Sequence, residues 1–295
     1  MNSNIKALAP ELPIPGYTGF IGSYLVSGNK NAIVDPGPAT AVPGLLRALG
    51  KAGLRPEDIQ YILLSHIHID HAGGTGTLIK YLPDATVIAH PRAHRHLADP
   101  TALWDASLRT LGDLALKYGQ IEPVPENRII SITDLMQIDL GDGTVLEVHF
   151  TPGHAVHHLS LFDRSSSVLL AGEVAGVCVN GLIRPATPPP FKLEEIMSSI
   201  DRLIGLAPER ICYGHFGCFD DGLARLKLYK QKLLLWCQTI SAEIRKGTKP
   251  EAMLPAIREK DRDLAYLDTM TEDEYAREMV LLHNSIYGMA GIAQR

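Results

Sequence analysis

Ser65-His66-Ile67-His68-Ile69-Asp70-His71-Ala72-Gly73-Gly74 holds four side chains able to bind a metal, at positions 66, 68, 70 and 71. An apolar, strand-like run, Tyr61-Ile62-Leu63-Leu64, leads in, and the glycines lead out into a helix expected from Thr75 to Tyr81. If a strand delivers His66 and His68, its period of two puts both on one face. Asp70 and His71 then fall in a turn, where the backbone can redirect them. Two imidazoles can converge on one ion, and a carboxylate with a third imidazole on a second. Neutral imidazole and carboxylate oxygen suit zinc, and also iron, manganese or cobalt. A single histidine on an apolar strand is more often a core residue, but His-x-His-x-Asp-His is a much more specific pattern.

Composition sets the surroundings. The 295 residues, 45% of them apolar, are enough for one large domain or one domain with an appendage, with a full core. A net charge of −5, with charges dispersed, leaves no basic run of the kind that tracks phosphates, so no nucleic-acid partner is expected. The start, Met1 to Pro10, has no long apolar segment and does not read as a signal peptide. No run approaches the ~18 apolar residues of a spanning helix, so no membrane association is expected. Cys178, Cys212, Cys218 and Cys237 show no Cys-x-x-Cys spacing and read as reduced thiols of a cytoplasmic protein, Cys212 pointing into the core from a strand.

Three downstream segments supply further ligands: Thr151-Pro152-Gly153-His154, Leu169-Leu170-Ala171-Gly172-Glu173 and Tyr213-Gly214-His215-Phe216-Gly217. With them, the opening stretch resembles the signature of the metallo-β-lactamase superfamily, over roughly residues 17 to 220. That resemblance implies an α/β fold, an αββα sandwich. It implies two divalent ions, zinc first, with iron or manganese as alternatives. One would take His66, His68 and His154, the other Asp70, His71 and His215. Glu173 would bridge them, where the family has Asp. It also implies a metal-dependent hydrolase, in which a metal-bound hydroxide attacks a small ester, thioester or lactone and Asp70 steers a proton to the leaving group. Glu in place of Asp adds one methylene, roughly 1.5 Å of reach. The expected outcomes are two metals with adjusted spacing, one firmly bound metal, or an altered metal preference such as iron.

The same resemblance places Asp35 of Asp35-Pro36-Gly37 at the edge of the site, where it could orient a ligand histidine; capping a turn is the alternative reading. His157 and His158 trail the third motif and would support the site. Arg184 is the only cation in the Pro-rich stretch from Asn180 to Phe191, a loop expected to lie over the metals, and a candidate contact for a substrate carboxylate or phosphate. His90, His94 and His96 form a second cluster without a carboxylate at ligand spacing and read as surface or supporting residues. The segment from Asp99 to Tyr118 is longer than a connection needs, and Trp104 could touch substrate.

Residues 1–220 are therefore expected to form the catalytic domain and residues 221–295 a helical extension. The Pro-rich residues 1 to 16 should be an extended lead-in. Thr271-Glu272-Asp273-Glu274 is a capping box that opens a last helix. Hydroxyacylglutathione hydrolases also carry a helical C-terminal extension that shapes a thioester site. The tail here could act in that way or form a homodimer interface. Two other functions keep the fold: an iron-dependent dioxygenase or redox enzyme, and a non-catalytic regulator that retains the metal site.

Overall fold

Short runs rich in Val, Ile and Leu, cut by Gly, Pro and Asp turns, form two six-stranded sheets laid face to face. The computed structural model describes residues 4–293, so the first three residues of the Pro-rich lead-in and the last two of the tail lie outside the described residues.

The first sheet runs in chain order: β1 (Ile5–Ala7), β2 (Tyr24–Val26), β3 (Asn31–Val34), β4 (Ile59–Leu63), β5 (Thr86–Ala89) and β6 (Ile129–Ser131). Its first two pairings are antiparallel and the rest parallel, each parallel step needing a crossover. α1 (Val42–Lys51) makes the first crossover and buries Leu45 and Leu49 against the outer face. Between β4 and β5 come the short helices α2 (Ile69–Ala72) and α3 (Thr75–Leu78). α4 (His94–Ala98), α5 (Thr101–Leu111) and α6 (Asp113–Tyr118) follow β5. Part of the extended lead-in, Ile5–Ala7, pairs with the edge of β2. The helices from His94 to Tyr118 are three rather than one, because Pro100 cannot continue α4 and Gly112 turns the chain at φ 54°.

The second sheet has the order β14-β13-β10-β9-β8-β7. Its members are β7 (Gln137–Gly141), β8 (Thr144–Phe150), β9 (Leu159–Asp163) and β10 (Val168–Gly172), then, after a separate hairpin of β11 (Val177–Val179) and β12 (Leu182–Arg184), β13 (Arg210–Tyr213) and β14 (Cys218–Asp220). Asp142 and Gly143, both at positive φ, make a tight turn between β7 and β8. The sheets share an apolar layer that includes Val26, Val34, Leu63 and Ile88 from one and Leu146, Val148, Leu161 and Leu170 from the other. Helices cover both outer faces, which makes the αββα sandwich.

On the second sheet the cover is α7 (Leu193–Gly205), α8 (Gly222–Arg245), α9 (Leu254–Lys260) and α10 (Glu272–Ala293). Thr271 and Glu274 exchange the expected capping bonds at the start of α10, Thr271 N donating to Glu274 Oε2 at 3.0 Å and Glu274 N to Thr271 Oγ1 at 3.4 Å. Trp236, Ile240, Leu282 and Ile286 of these helices share one core with Leu169, Ile211 and Tyr213 of the sheet. Inside that core Lys232 pairs with Asp261 (2.5 Å), which also accepts from Trp236 Nε1 (2.9 Å). The reading of four reduced cysteines is corrected: Cys212 and Cys218 are disulfide-bonded, while Cys178 and Cys237 are free. The β13–β14 register sets the bonded pair directly opposite each other, and Cys212 does lie in the core.

Candidate metal centre

The site gathers where β4, β10 and β13 release the chain at one edge of the sandwich. β4 stops at Leu63, so His66 and His68 lie on an extended loop rather than on the strand, and Asp70 and His71 lie in α2 rather than in a turn. What draws the chain off the sheet is Asp35. Its Oδ1 accepts from Ser65 N (2.8 Å) and its Oδ2 from Ser65 Oγ (2.5 Å).

The structure brings the seven expected ligand residues together. His66, His68, His154 and Glu173 form one group, and Asp70, His71, His215 and Glu173 a second, with candidate ligand atoms in each within 4.8 Å of one another. His68 Nδ1 is 3.1 Å from His66 Nε2 and 3.0 Å from His154 Nε2. Around a tetrahedral ion bound at ~2.0–2.1 Å, ligand atoms stand about 3.3 Å apart, so this spacing fits a small divalent cation.

Hydrogen bonds fix which ring nitrogens face inward. Ser65 Oγ gives its one proton to Asp35, so at 3.0 Å from His66 Nδ1 it can only accept. His154 Nδ1 donates to Ala186 O (2.9 Å), His215 Nδ1 to Phe20 O (3.1 Å) and His71 Nδ1 to Asp35 Oδ2 (3.3 Å). In all four rings Nε2 is left as the inward lone pair, and His71 Nε2 is buried with no hydrogen-bond partner. A polar atom sealed from water in this way is costly unless something binds it.

Glu173 reaches both groups. Its Oε2 lies 2.9 Å from His154 Nε2, 3.5 Å from His66 Nε2 and 3.4 Å from His71 Nε2, and its Oε1 lies 3.3 Å from His215 Nε2. The β10–β13 register slips between Leu170 and Gly172, and Gly172 turns at φ 60° to launch the side chain. Opposite, a Cβ on Gly214 would come within 2.6 Å of His71 Cε1, so only glycine lets that turn close on the ring.

The charges agree with the donor set. Burial pushes the Glu173 carboxyl up, but His154 and His215 outweigh it and hold it well below the usual range. Burial pushes His71 down, but Asp70, Asp35 and Glu173 outweigh it and hold the ring well above its ordinary value. At His68 burial and His154 outweigh Asp70 and Glu173 and lower the ring to about 4. Carboxylates that favour a proton on His71 favour a metal cation there as well.

Of the expected supporting residues, Asp35 contacts His71 directly and His66 through Ser65, and sits at φ 52°, outside the usual range for a non-glycine. His157 Nδ1 accepts from Ile67 N (3.4 Å), between two ligands. His158 reaches further than the sequence suggests. Its Nε2 accepts from Glu173 N (3.1 Å), so Nδ1 carries the proton and donates to Thr151 Oγ1 (2.9 Å), which is 3.0 Å from Ser160 Oγ. The His-His pair after the third motif was the available signal, and only strand pairing shows which of the two holds Glu173.

Arg184 is corrected. It lies in β12, almost fully buried, and its guanidinium pairs with Glu278 of α10 instead of facing a substrate. The Pro-rich stretch that follows β12 does meet the site, through Ala186 O on His154. His94 faces Ser131 (3.1 Å), and His90 packs on Phe150, so neither joins the metal groups.

A sequence profile of the metallo-beta-lactamase superfamily matches residues 16–215, and the chain belongs to that superfamily. It is 32% identical over 165 residues to the metallo-beta-lactamase fold-containing protein ST1585 of Sulfurisphaera tokodaii, a match covering 55% of this chain and 62% of that protein. It is 28% identical over 233 residues to the probable metallo-hydrolase YqjP of Bacillus subtilis, covering 70% of each. The fold matches the crystal structure of the metallo-beta-lactamase family protein TTHA1429 from Thermus thermophilus with a TM-score of 0.68 and 26% identity, covering 93% of both chains. Family membership and these relatives support a metal-dependent hydrolase in general, and among the described residues no helix is long and apolar enough to cross a membrane.

Proposed function

We propose that this chain is a binuclear metal-dependent hydrolase acting on a small ester, thioester or lactone. The observation that carries this reading is the Glu173 carboxylate, which lies against both ligand groups: its Oε2 is 2.9 Å from His154 Nε2 and 3.4 Å from His71 Nε2, and its Oε1 is 3.3 Å from His215 Nε2. His66, His68 and His154 would hold one ion, Asp70, His71 and His215 the other, and Glu173 both. Two such ions, zinc foremost, would supply an activated water at neutral pH and a Lewis acid for the developing oxyanion. The protein's part is to hold the donors still. Four of the histidines have the outward nitrogen tied to Ser65, Asp35, Ala186 or Phe20, so their Nε2 atoms need no reorganisation. Asp70 is the more exposed of the two ligand carboxylates, with its Oδ2 3.6 Å from His215 Nε2. Its other oxygen would take the proton and pass it to the leaving group.

The test is elemental analysis of protein purified without added metal or chelator, followed by turnover on a panel of esters, thioesters and lactones. About two zinc ions per chain, with turnover lost on chelation and restored by metal, is the expected result. One iron per chain, with oxygen uptake on a thiol persulfide, would replace the hydrolase reading with the dioxygenase one. Fully loaded protein that turns over nothing on the panel would leave the regulator reading.

A further inference from the structure

We propose that Arg277, in the C-terminal helix α10, is a positioning residue for the His215 half of the metal centre. The inference rests on the binuclear reading and adds the tail to it. Arg277 is 5% exposed, and its guanidinium lies over three aromatic rings, 5.7 Å from the centroid of Tyr17 and 5.2 Å from those of Phe20 and Phe216. Those rings pack edge-to-face on one another, Tyr17–Phe20 at 5.0 Å and Phe20–Phe216 at 5.5 Å. The cation therefore organises an aromatic box.

That box touches a ligand. The Phe20 ring stacks on the His215 imidazole at 3.9 Å and 25°. The Phe20 carbonyl accepts from His215 Nδ1 and from Phe216 N (3.2 Å), and Ile21 bridges to His215 as an isolated β-pair. The turn carrying Phe20 is itself held by the tail, since Arg277 Nη1 donates to Gly16 O. Gly16 packs so closely on α10 that a Cβ there would meet the Asp273 backbone at 2.6 Å. The path is short: Arg277 fixes the Gly16–Phe20 turn, Phe20 fixes the His215 ring and its tautomer, and His215 presents Nε2 to the ion.

The role predicts a selective effect. Without Arg277, the Gly16–Phe20 turn loses its anchor and the Asp70/His71/His215 group loses one oriented donor. The His66/His68/His154 group is tied instead through Ser65 and Ala186, and Arg277 reaches toward it only by way of Glu278 (Nη2 to Oε2, 3.8 Å), the partner of Arg184.

The test is chelator competition on full-length, metal-loaded protein, comparing wild type with Arg277→Gln, Arg277→Lys and Phe20→Leu. Wild-type stoichiometry and turnover test the binuclear reading independently of the variants. In Arg277→Gln, one of two ions should be released with affinity lower by about tenfold to a hundredfold, the second staying at its wild-type value. Arg277→Lys should recover part of that loss, and Phe20→Leu, with the tail intact, should reproduce it. The visible spectrum of cobalt-loaded protein should change for one site only. Ile286→Ala, a core truncation in the same helix, should lower Tm and leave both affinities unchanged. If Arg277→Gln and Phe20→Leu fold and bind both ions like wild type, or lose both equally, Arg277 is a packing residue and the proposal fails. If Arg277→Gln does not fold, Phe20→Leu alone decides between the same two outcomes.

Discussion

Arg184 and Glu278 meet as a two-point ion pair inside the core, 94 positions apart in sequence, with Tyr266 Oη donating to the same carboxylate at 2.7 Å. The pair joins the loop after Glu173 to the last helix, so the tail and the sheet that carries the site are held as one packed body.

Glu278→Gln should therefore be strongly destabilising, because it leaves the Arg184 charge buried without a counter-ion. Loss of one partner of such a pair costs about 3–5 kcal/mol. Burial pushes the Glu278 carboxyl up, but Arg184 and Tyr266 outweigh it and hold it below the ordinary range. A carboxyl depressed in the folded state adds stability that is present above its unfolded pKa, about 4.3, and is lost as pH falls through the folded value. Denaturant unfolding followed by Trp236 fluorescence should show wild-type stability falling from about pH 5 downward, and the variant should lack the Glu278 part of that fall. Equal slopes in the two proteins would remove the pair from the account.

Glu173→Asp restores the residue usual in the family yet should impair this chain. The backbone at Gly172 is set for the longer side chain, and Asp would fall short of one group by about 1.5 Å. A displacement of that size in a catalytic constellation can cost about a hundredfold in rate. Metal content should drop toward one ion per chain. Two tightly held ions and unchanged kcat in the Asp variant would show that the register slip does not set the reach.

Asp35→Asn should keep the fold, since Asn tolerates the positive φ at this position. It should weaken metal binding by about tenfold to a hundredfold, because one carboxylate orients His71 directly and His66 through Ser65. Isothermal titration of metal-stripped protein reads this directly.

His158→Ala should lower kcat while leaving the three-histidine group loaded. It removes the acceptor of Glu173 N and opens a gap against Gly172, so the bridging carboxylate loses its fixed root. His157→Ala removes a 3.4 Å hydrogen bond to Ile67 N and looser ring contacts with His66 and His68 (centroids 6.3 and 6.0 Å), and should be several-fold milder in the same assay.

The parts of the site legible in the sequence are those fixed by local spacing. His66, His68, Asp70 and His71 lie within one loop and one turn of helix, and His154, Glu173 and His215 each follow a strand that could be read from its Val, Ile and Leu content. What escaped depends on contacts between distant segments. Nothing near Arg184 in sequence identifies Glu278 as its partner, so an arginine in a Pro-rich stretch reads as exposed. Ile5–Ala7 is too short to read as a strand until the edge of β2 supplies its hydrogen bonds. Whether His157 or His158 faces Glu173 depends on how β9 enters the sheet. The role of Phe20 rests on a ring stacked on His215 and a carbonyl bonded to its Nδ1, contacts made across 195 positions of sequence.

The Cys212–Cys218 bond has a topological consequence for His215. It closes the β-turn between them into a covalent ring, with the ligand at its middle. The turn is thereby a small cyclic peptide grafted onto the end of the sheet. A protease that cut the backbone between Tyr213 and Gly217 would leave both cut ends attached to the molecule. Strand fraying at the β13–β14 edge likewise cannot carry His215 away from the other ligands by more than the ring allows.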